Sequence, residues 1–328
     1  MSRPTTFLAA ACLAAVAPAY ASITFNATFG SSIQSDSTYK GAIESNINAV
    51  LGMYTADIST NITVNIDFEE NTSGLGQSST PFTSFDYNTF CTALEGTSSG
   101  ASDGTAYGSG SVGACGSTNP VTGTSLIDVK SANARAVGLT FSPASDGAIT
   151  INTQLTDGGT GPCAGSCYSF DEVVEHEVDE VLGLGSSLTN CNGSSCTTVP
   201  AAPNPAPEDL FRYSGVGARS FQQNTACGSL GTAYFSIDGG TTNLAGFNNA
   251  CNGGDFADWD TSVARVQNWA ASPNSNPGLG VELTALDVIG YSLQSQGTVP
   301  EPSTVFLSAS VLSALLLFRR KLASSRKA

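Results

Sequence analysis

The sequence predicts an α+β fold with a mixed sheet, and three patterns near the N-terminus support this. Residues 23–29 alternate between apolar and polar side chains, residues 39–54 carry apolar residues at helical spacing, and residues 61–68 alternate again. A strand, a helix and a second strand in this order are typical of a sheet with a crossover helix. The other predicted elements are a strand at 148–153, a short helix at 283–289, and loops at 97–125 and 185–207.

The composition indicates a folded and strongly acidic protein. Of the 328 residues, 41% are hydrophobic, and the formal net charge is -15. A chain with this charge is repelled by nucleic acids and by anionic lipids, so we expect neither as a partner.

Both ends of the chain are predicted to be targeting segments. Residues 1–21 combine Arg3, an apolar run at 7–17 and the small-x-small site Ala19-Tyr20-Ala21, which predicts a signal peptide cut by signal peptidase before Ser22. Residues 299–328 contain Pro-Glu-Pro, a hydrophobic segment at 305–318 and a basic stop at 319–321. This order resembles the PEP-CTERM sorting signal of Gram-negative bacteria. The resemblance implies a short C-terminal hydrophobic sorting helix that anchors the chain transiently in the inner membrane. It further implies processing by an exosortase and an extracellular, cell-surface or matrix location.

Eight cysteines remain after the signal peptide, and an even number in an exported chain favours disulfides. Their spacing suggests that neighbours pair in order, although many other pairings exist. The pairs are Cys91 with Cys115, Cys163 with Cys167, Cys191 with Cys196, and Cys227 with Cys251. A structural zinc site formed by the middle four cysteines is the alternative.

One acidic helix carries the candidate site. Ser169 and Glu172 fit a capping box and Gly183 provides an end, so we predict a helix from residue 170 to about residue 182. His176, the only histidine of the chain, and Glu180 lie four residues apart and therefore share one face of this helix.

The charge of this helix indicates a bound cation. Six acidic residues fall within 171–180, and no Lys or Arg occurs between Arg135 and Arg212. The acids nearest the C-terminal end should repel one another and the negative end of the helix dipole. A metal ion would relieve this repulsion, and a solvated acidic face is the alternative.

The helix resembles the zinc-binding helix of the metzincin peptidases, His-Glu-x-x-His-x-x-Gly-x-x-His. His176, Glu177 and Gly183 match, while Glu180 replaces the second histidine and Ser186 the third. A carboxylate is an acceptable zinc ligand, so the resemblance implies that His176 and Glu180 bind Zn²⁺. Because no other histidine exists, the third ligand must be an acid, and Asp209 is our candidate.

Four further strings extend the resemblance over most of residues 22–293. They begin at Asp209, Tyr234, Gly254 and Ala285, and read DLFRYS, YFSIDGGTT, GDFADW and ALDVIGY. Together with the opening, they resemble a group of exported bacterial metalloproteases that often end in PEP-CTERM signals and usually carry a His-Glu-x-x-Glu-Val helix. The resemblance implies one metalloprotease-like domain at 22–298, built as a metzincin-like mixed sheet with an active-site helix.

The implied activity is that of a secreted zinc-dependent endopeptidase acting on a peptide or protein substrate. Glu177 would act as general base toward a water molecule on the metal. Arg212 or Tyr213 would stabilise the oxyanion, although both residue types also serve as packing partners.

Two other functions stay open. The chain can be a non-catalytic surface or matrix protein that keeps this fold, because two histidines and the methionine turn of metzincins are missing. It can also be a sugar-binding module that uses the Trp-rich segment near Asp258. The turns at 238–242 and 253–260 are candidates for binding Ca²⁺, but tight turns between strands explain their glycines equally well.

Overall fold

The computed structural model describes residues 22–294, except residues 109, 159–162, 164, 188–189, 193–194, 198–203, 221–231 and 250–253. The chain divides into two units, Met1–Leu293 and Gln294–Ala328, and the first unit is described below. The predicted signal peptide and the predicted sorting helix lie outside the described residues. Within the described ranges, no helix has the length and apolar character needed to cross a membrane.

The described residues form a mixture of helices and short strands, so the predicted α+β class is confirmed. The helices are α1 (Ser31–Ser35), α2 (Lys40–Asp57), α3 (Tyr87–Glu95), α4 (Ala101–Ala106), α5 (Ser131–Ala136), α6 (Phe170–Leu182), α7 (Val281–Val288) and a 3₁₀ helix (Pro207–Phe211). The strands of the N-terminal half are β1 (Thr24–Phe29), β2 (Thr63–Glu70), β3 (Gly76–Ser79), β4 (Phe82–Asp86), β5 (Leu126–Lys130) and β6 (Gly147–Ile151). Those of the C-terminal half are β7 (Asn190–Asn192), β8 (Ser195–Thr197), β9 (Arg212–Gly215), β10 (Ala218–Arg219), β11 (Tyr234–Phe235) and β12 (Ala245–Gly246).

The largest sheet is mixed and has the strand order β1-β2-β6-β3. Strands β1, β2 and β6 are parallel, and β3 is antiparallel to β6. Helix α2 connects β1 to β2, which is the crossover that the sequence predicts. Strand β3 lies at the edge, so one of its two hydrogen-bonding sides has no strand partner among the described residues.

Helix α6 packs across this sheet and against α2, α5 and α7. Two glycines allow its close approach. A Cβ atom on Gly147 of β6 would lie less than 3.0 Å from Val181, and one on Gly76 of β3 would lie equally close to Val173 and Glu177. Helix α6 is consequently buried on almost every side, and His176 and Glu180 are among its few partly exposed residues.

The ends of α6 follow the sequence signals. The Ser169 hydroxyl accepts a hydrogen bond from the Glu172 backbone N–H at 3.2 Å. At the other end, Gly183 adopts a φ of 138°, where a Cβ atom would approach Asn133 and Ile289 within about 3.0 Å. Both the conformation and the space at this position therefore require glycine.

A second sheet, with the order β10-β9-β11-β12, supports the loop that follows it. Trp259 in this loop is fully buried, packs on Phe235 and Phe247, and donates through Nε1 to Glu282 at 3.0 Å. Residue 258 is therefore held next to a rigid aromatic anchor. This loop runs past the His176 face of α6.

Most predicted elements are confirmed, and two predictions are wrong. The predicted loop at 97–125 contains α4, because Asp103 accepts hydrogen bonds from the N–H groups of Ser99 and Gly100 and so caps this helix. The predicted loop at 185–207 contains the hairpin of β7 and β8 and ends at the 3₁₀ helix. In both segments local hydrogen bonding organises residues whose Gly, Ser and Thr content indicates an exposed loop.

Two of the four predicted disulfides are present, Cys91–Cys115 and Cys163–Cys167. Cys191 and Cys196 are opposite each other in the β7–β8 pairing, but their side chains lie outside the described part. Cys227 and Cys251 also lie outside it. Cys163 and Cys167 cannot contribute to the alternative structural zinc site of the middle four cysteines, because their sulfurs are joined in a disulfide.

Candidate metal centre

His176 is oriented by a backbone carbonyl from the loop that follows Trp259. Its Nδ1 lies 3.1 Å from the carbonyl oxygen of Val266. Because that oxygen can only accept, Nδ1 carries the proton of this hydrogen bond. Nε2, which lies 3.3 Å from the Gln267 side-chain nitrogen, is the ring atom available to bind a proton or a metal. Nε2 points toward two carboxylates.

These two carboxylates belong to Glu180 and Asp258. His176 Nε2 is 3.8 Å from Glu180 Oε1 and 3.8 Å from Asp258 Oδ1. One donor atom from each of the three residues lies within 4.8 Å of the others. The structure therefore brings the predicted pair His176 and Glu180 together with a third acid, which the sequence analysis did not select.

Asp258 is fixed from several directions. Its carboxylate accepts from the Gln267 side-chain amide at 3.3 Å, and its backbone carbonyl accepts from Asn248 N–H at 2.6 Å. The next residue, Trp259, is the buried anchor of the loop. Two sequence signals pointed to Asp258, its position directly before this tryptophan and its place in the acidic turn at 253–260, but neither connected it to His176.

Asp209, the predicted third ligand, has different partners. Its carboxylate accepts from Ser186 Oγ at 2.5 Å, from the Ala206 N–H at 2.8 Å and from the Ser187 N–H at 3.3 Å. The adjacent Glu208 accepts from the Gly185 N–H at 2.5 Å. These acids hold the segment after α6, and Asp209 does not belong to the His176 cluster.

The predicted oxyanion groups also lie elsewhere. Arg212 is buried, donates to the Phe256 carbonyl oxygen at 2.8 Å, and stacks between the rings of Phe247 and Phe256. Tyr213 is buried, and its hydroxyl lies 3.4 Å from the Ser111 carbonyl oxygen. Arg212 thus stabilises the segment leading to Asp258, and both side chains serve packing.

Glu177, the predicted general base, lies next to the cluster. It is buried and lies against Gly76 of strand β3, close to His176 on the same helix. Burial raises the pKa of its carboxyl, as does the negative charge of Glu180, whereas His176 lowers it. A carboxyl with a raised pKa is suited to taking up and releasing a proton near neutral pH.

Three other acids of α6, Glu172, Glu175 and Asp179, are buried. Burial and nearby acids raise the pKa of Glu175 to about 8, and burial raises that of Glu172 to about 7. Asp179 is hydrogen-bonded by the Tyr54 hydroxyl at 2.8 Å, and burial raises its pKa strongly. Protonation therefore relieves part of the negative charge of this helix.

Lys130 supplies a positive charge that the local sequence does not indicate. Its ammonium group donates to the carbonyl oxygens of Glu180 at 2.8 Å and Leu184 at 2.6 Å, at the C-terminal end of α6. A cation at this end offsets the helix dipole. Lys130 comes from strand β5, about fifty residues earlier in the chain, so no local pattern predicts this contact.

Two cavities border the cluster. The first, which we call the lysine cavity, has a volume of about 300 Å³ and is lined by Lys130, Glu180, Asp255 and Ser78 among others. The second, which we call the tryptophan cavity, has a volume of about 400 Å³ and includes Trp269, His176, Glu177 and Glu172 in its lining. The N-terminal part of β3 borders the tryptophan cavity and its C-terminal part borders the lysine cavity.

The donor set is compatible with a zinc ion. Ligands around one tetrahedral Zn²⁺ at roughly 2.0–2.1 Å lie about 3.4 Å apart, which is near the two separations of 3.8 Å. Without a cation, the field of Asp258, Glu177 and Glu180 overcomes the effect of burial and raises the pKa of His176 to about 10. The cluster therefore attracts positive charge strongly.

One of the two turns that the sequence marks as a candidate for Ca²⁺, at 238–242, is explained by local structure, whereas the turn at 253–260 contributes Asp258 to the cluster. Asp238 accepts from Ser236 Oγ, Thr242 N–H and Thr242 Oγ1 and so closes its own turn. A second group of possible metal donors comprises Cys91, Cys115 and Glu95, but its two sulfurs form a disulfide. Of the two tryptophans, Trp259 is core and Trp269 lines a cavity.

Comparisons with family models, with curated proteins and with solved structures found no match to this chain. The function must therefore be inferred from the site itself.

Gly76→Ala should displace Glu177, because the added methyl group would lie less than 3.0 Å from its carboxylate and from Val173. We expect a loss of about 1–3 kcal/mol in the free energy of unfolding, as for other overpacked sites, measured by urea denaturation. Gly52→Ala in α2, where a Cβ atom meets nothing within 4 Å, is the control and should stabilise by about 0.5–1 kcal/mol. Equal effects of the two substitutions would contradict the packing described for Gly76.

Proposed function

We propose that this chain is an exported zinc-dependent endopeptidase that holds its metal through His176, Glu180 and Asp258 and uses Glu177 as general base. The observation that carries the proposal is the convergence of three donor atoms within 4.8 Å beside a buried glutamate. Two of the donors and the glutamate occupy one helix, in the order that the metzincin-like motif requires.

The ligand chemistry supports zinc. Imidazole nitrogen and carboxylate oxygen are both ligands that Zn²⁺ accepts, and three protein ligands leave a fourth position open for water or substrate. The Val266 carbonyl oxygen holds the imidazole through Nδ1, which is the outer hydrogen bond that metal-binding histidines make. The Gln267 amide nitrogen lies 3.3 Å from both His176 Nε2 and Asp258 Oδ1, so it would yield these two atoms to a bound metal. When bound, Zn²⁺ acts as a Lewis acid that polarises a carbonyl group and acidifies water.

Glu177 performs the proton transfers. Its carboxylate lines the same cavity as His176, so it can take a proton from water that enters there. The same carboxyl then delivers the proton to the amine that leaves when the peptide bond breaks. The raised pKa of Glu177 favours both steps near neutral pH.

Strand β3 supports a peptide as the substrate. It lies at the edge of the sheet and borders both cavities. An extended chain can add to such an edge through backbone hydrogen bonds, which would lay its side chains alternately toward and away from the site. The substrate would therefore pass the metal cluster in extended form.

Metal content after exhaustive dialysis tests the ligand set. The purified protein should keep about one zinc per chain, as one three-residue site allows. Asp258→Asn and Glu180→Gln should each weaken zinc binding by at least about 100-fold, because removing even an outer hydrogen-bond partner costs about 10–100-fold. Elemental analysis and competition with a chelator measure both quantities.

Two matched substitutions serve as controls for this measurement. The first is Asp260→Asn, at a residue two positions after Asp258 whose carboxylate accepts a hydrogen bond from the Ser262 N–H. The second is Asp209→Asn, which removes the carboxylate that accepts a hydrogen bond from Ser186. Both variants should retain zinc. Retained zinc in Asp258→Asn, with loss in Asp209→Asn, would contradict the ligand set proposed here.

Glu177→Gln tests the general base. This variant should keep its zinc, since Glu177 is not a ligand, and should cleave an unstructured protein substrate about 10²–10⁴ times more slowly. Cleavage rates of metal-loaded parent and variant provide the measurement. A folded parent that neither binds zinc nor cleaves peptides would favour the non-catalytic surface or matrix protein instead.

A further inference from the structure

The tryptophan cavity contains a carboxylate that the proposed chemistry does not use. Glu172 lies one helical turn before His176 on α6 and lines this cavity. Only 3% of the residue is exposed, and its Oε2 atom has no hydrogen-bond partner among the described residues. The sequence pattern predicts that this side chain caps the helix, but the structure places it in the cavity lining.

An unpaired carboxylate in such a place is costly. Burying a charged group without a hydrogen-bond partner loses its hydration, and among the described lining residues only the imidazole of His176 offers Glu172 an opposing charge. A histidine that binds a metal is neutral, so with a metal on His176 the carboxylate of Glu172 lacks that charge. The described lining holds the acids Glu172 and Glu177 together with His176, and it includes no Lys or Arg. A positive charge that entered the cavity would be stabilised by Glu172.

The rest of the lining suits a long apolar stem. Tyr168 and Trp269 provide aromatic surface, and Val173 and Val266 provide aliphatic surface. The volume of about 400 Å³ is within the range of ligand pockets, about 300–1,000 Å³. Arginine and lysine combine an aliphatic stem with a cationic end, and the guanidinium group also stacks on aromatic rings.

The lysine cavity has a different character. Its charged lining residues are Lys130, Glu180 and Asp255, so both signs of charge are present. The ammonium group of Lys130 would disfavour a second cation there. When His176 is neutral as a metal ligand, the charged groups in the described lining of the tryptophan cavity are the acids Glu172 and Glu177. The tryptophan cavity is then the side that favours positive charge.

We propose that the tryptophan cavity is a specificity pocket that receives an arginine or lysine side chain of the peptide substrate, with Glu172 as its counter-ion. This assignment rests on the proposed peptidase function. Glu172 is a specificity residue, since it contacts the substrate side chain and takes no part in bond cleavage.

Cleavage of matched peptides tests the pocket. The set differs at one position, which carries arginine, lysine, citrulline or glutamate, and citrulline keeps the shape of arginine without its charge. The zinc-loaded protein should cleave the arginine peptide with a kcat/KM about 10–100 times that of the citrulline peptide, the range expected for a charge-assisted hydrogen bond. The glutamate peptide should be the poorest substrate.

Glu172→Gln should abolish this preference, so that kcat/KM for the arginine peptide falls to about that for the citrulline peptide. The variant should be about as thermally stable as the parent, because an amide of the same shape replaces a carboxyl group whose Oε2 has no hydrogen-bond partner among the described residues. Asp171→Asn, the neighbouring acid on α6 that does not line the cavity, is the matched control and should keep the preference. If Glu172→Gln fails to fold, the ratio of arginine to citrulline cleavage by the parent decides the question.

A binding measurement separates this proposal from the peptidase function. N-acetyl-arginine amide should quench or shift the fluorescence of the zinc-loaded protein, and N-acetyl-citrulline amide should bind at least about tenfold more weakly. Trp269→Phe identifies the responding ring, and Glu172→Gln should remove the difference. Such binding without any peptide cleavage would support the pocket and contradict the peptidase function. Cleavage with no preference for positive charge would overturn the pocket alone.

Discussion

The structure depends on the placement of a strongly negative helix in the protein interior. Helix α6 carries six acids within ten residues, 171–180, and packs on a sheet on one side and on helices on the others. Each acid must be protonated, paired or neutralised by a cation, since an isolated buried charge is prohibitively costly. Asp179 shares a hydrogen bond with Tyr54, and Lys130 binds the C-terminal carbonyl oxygens. The acids of α6 that line the two cavities are Glu180, Glu177 and Glu172. We assign metal binding to the first, proton transfer to the second and substrate selection to the third.

The loop that carries Asp258 completes the centre because several independent contacts fix it. Trp259 is buried between aromatic rings and donates to Glu282, while Arg212 holds the preceding segment. The same loop region supplies the Val266 carbonyl oxygen that orients His176. One rigid segment therefore positions both a candidate ligand and the hydrogen bond that selects the ligand atom of another. Catalytic metal sites need this kind of support, because small displacements of ligands reduce affinity and rate.

The sequence could predict the parts of this site that are local in the chain. The bounds of α6, the shared face of His176 and Glu180 and the adjacent Glu177 follow from helical periodicity and capping. The third acid could not be predicted, because Asp209 and Asp258 are both acids after the helix and only tertiary packing distinguishes them. Lys130 was missed for the same reason, since it reaches α6 from β5. The Gly-rich segments proved more ordered than expected because caps and a disulfide organise them.

A crystal of the purified protein grown with zinc, with anomalous data collected on both sides of the zinc absorption edge, is the most direct test. We predict one strong anomalous peak within bonding distance of His176 Nε2 and of carboxylate oxygens of Glu180 and Asp258, about 2.0–2.2 Å from each. A peak at Asp209, or a well-ordered His176 and Asp258 with no peak between them, would contradict the metal centre on which this account rests.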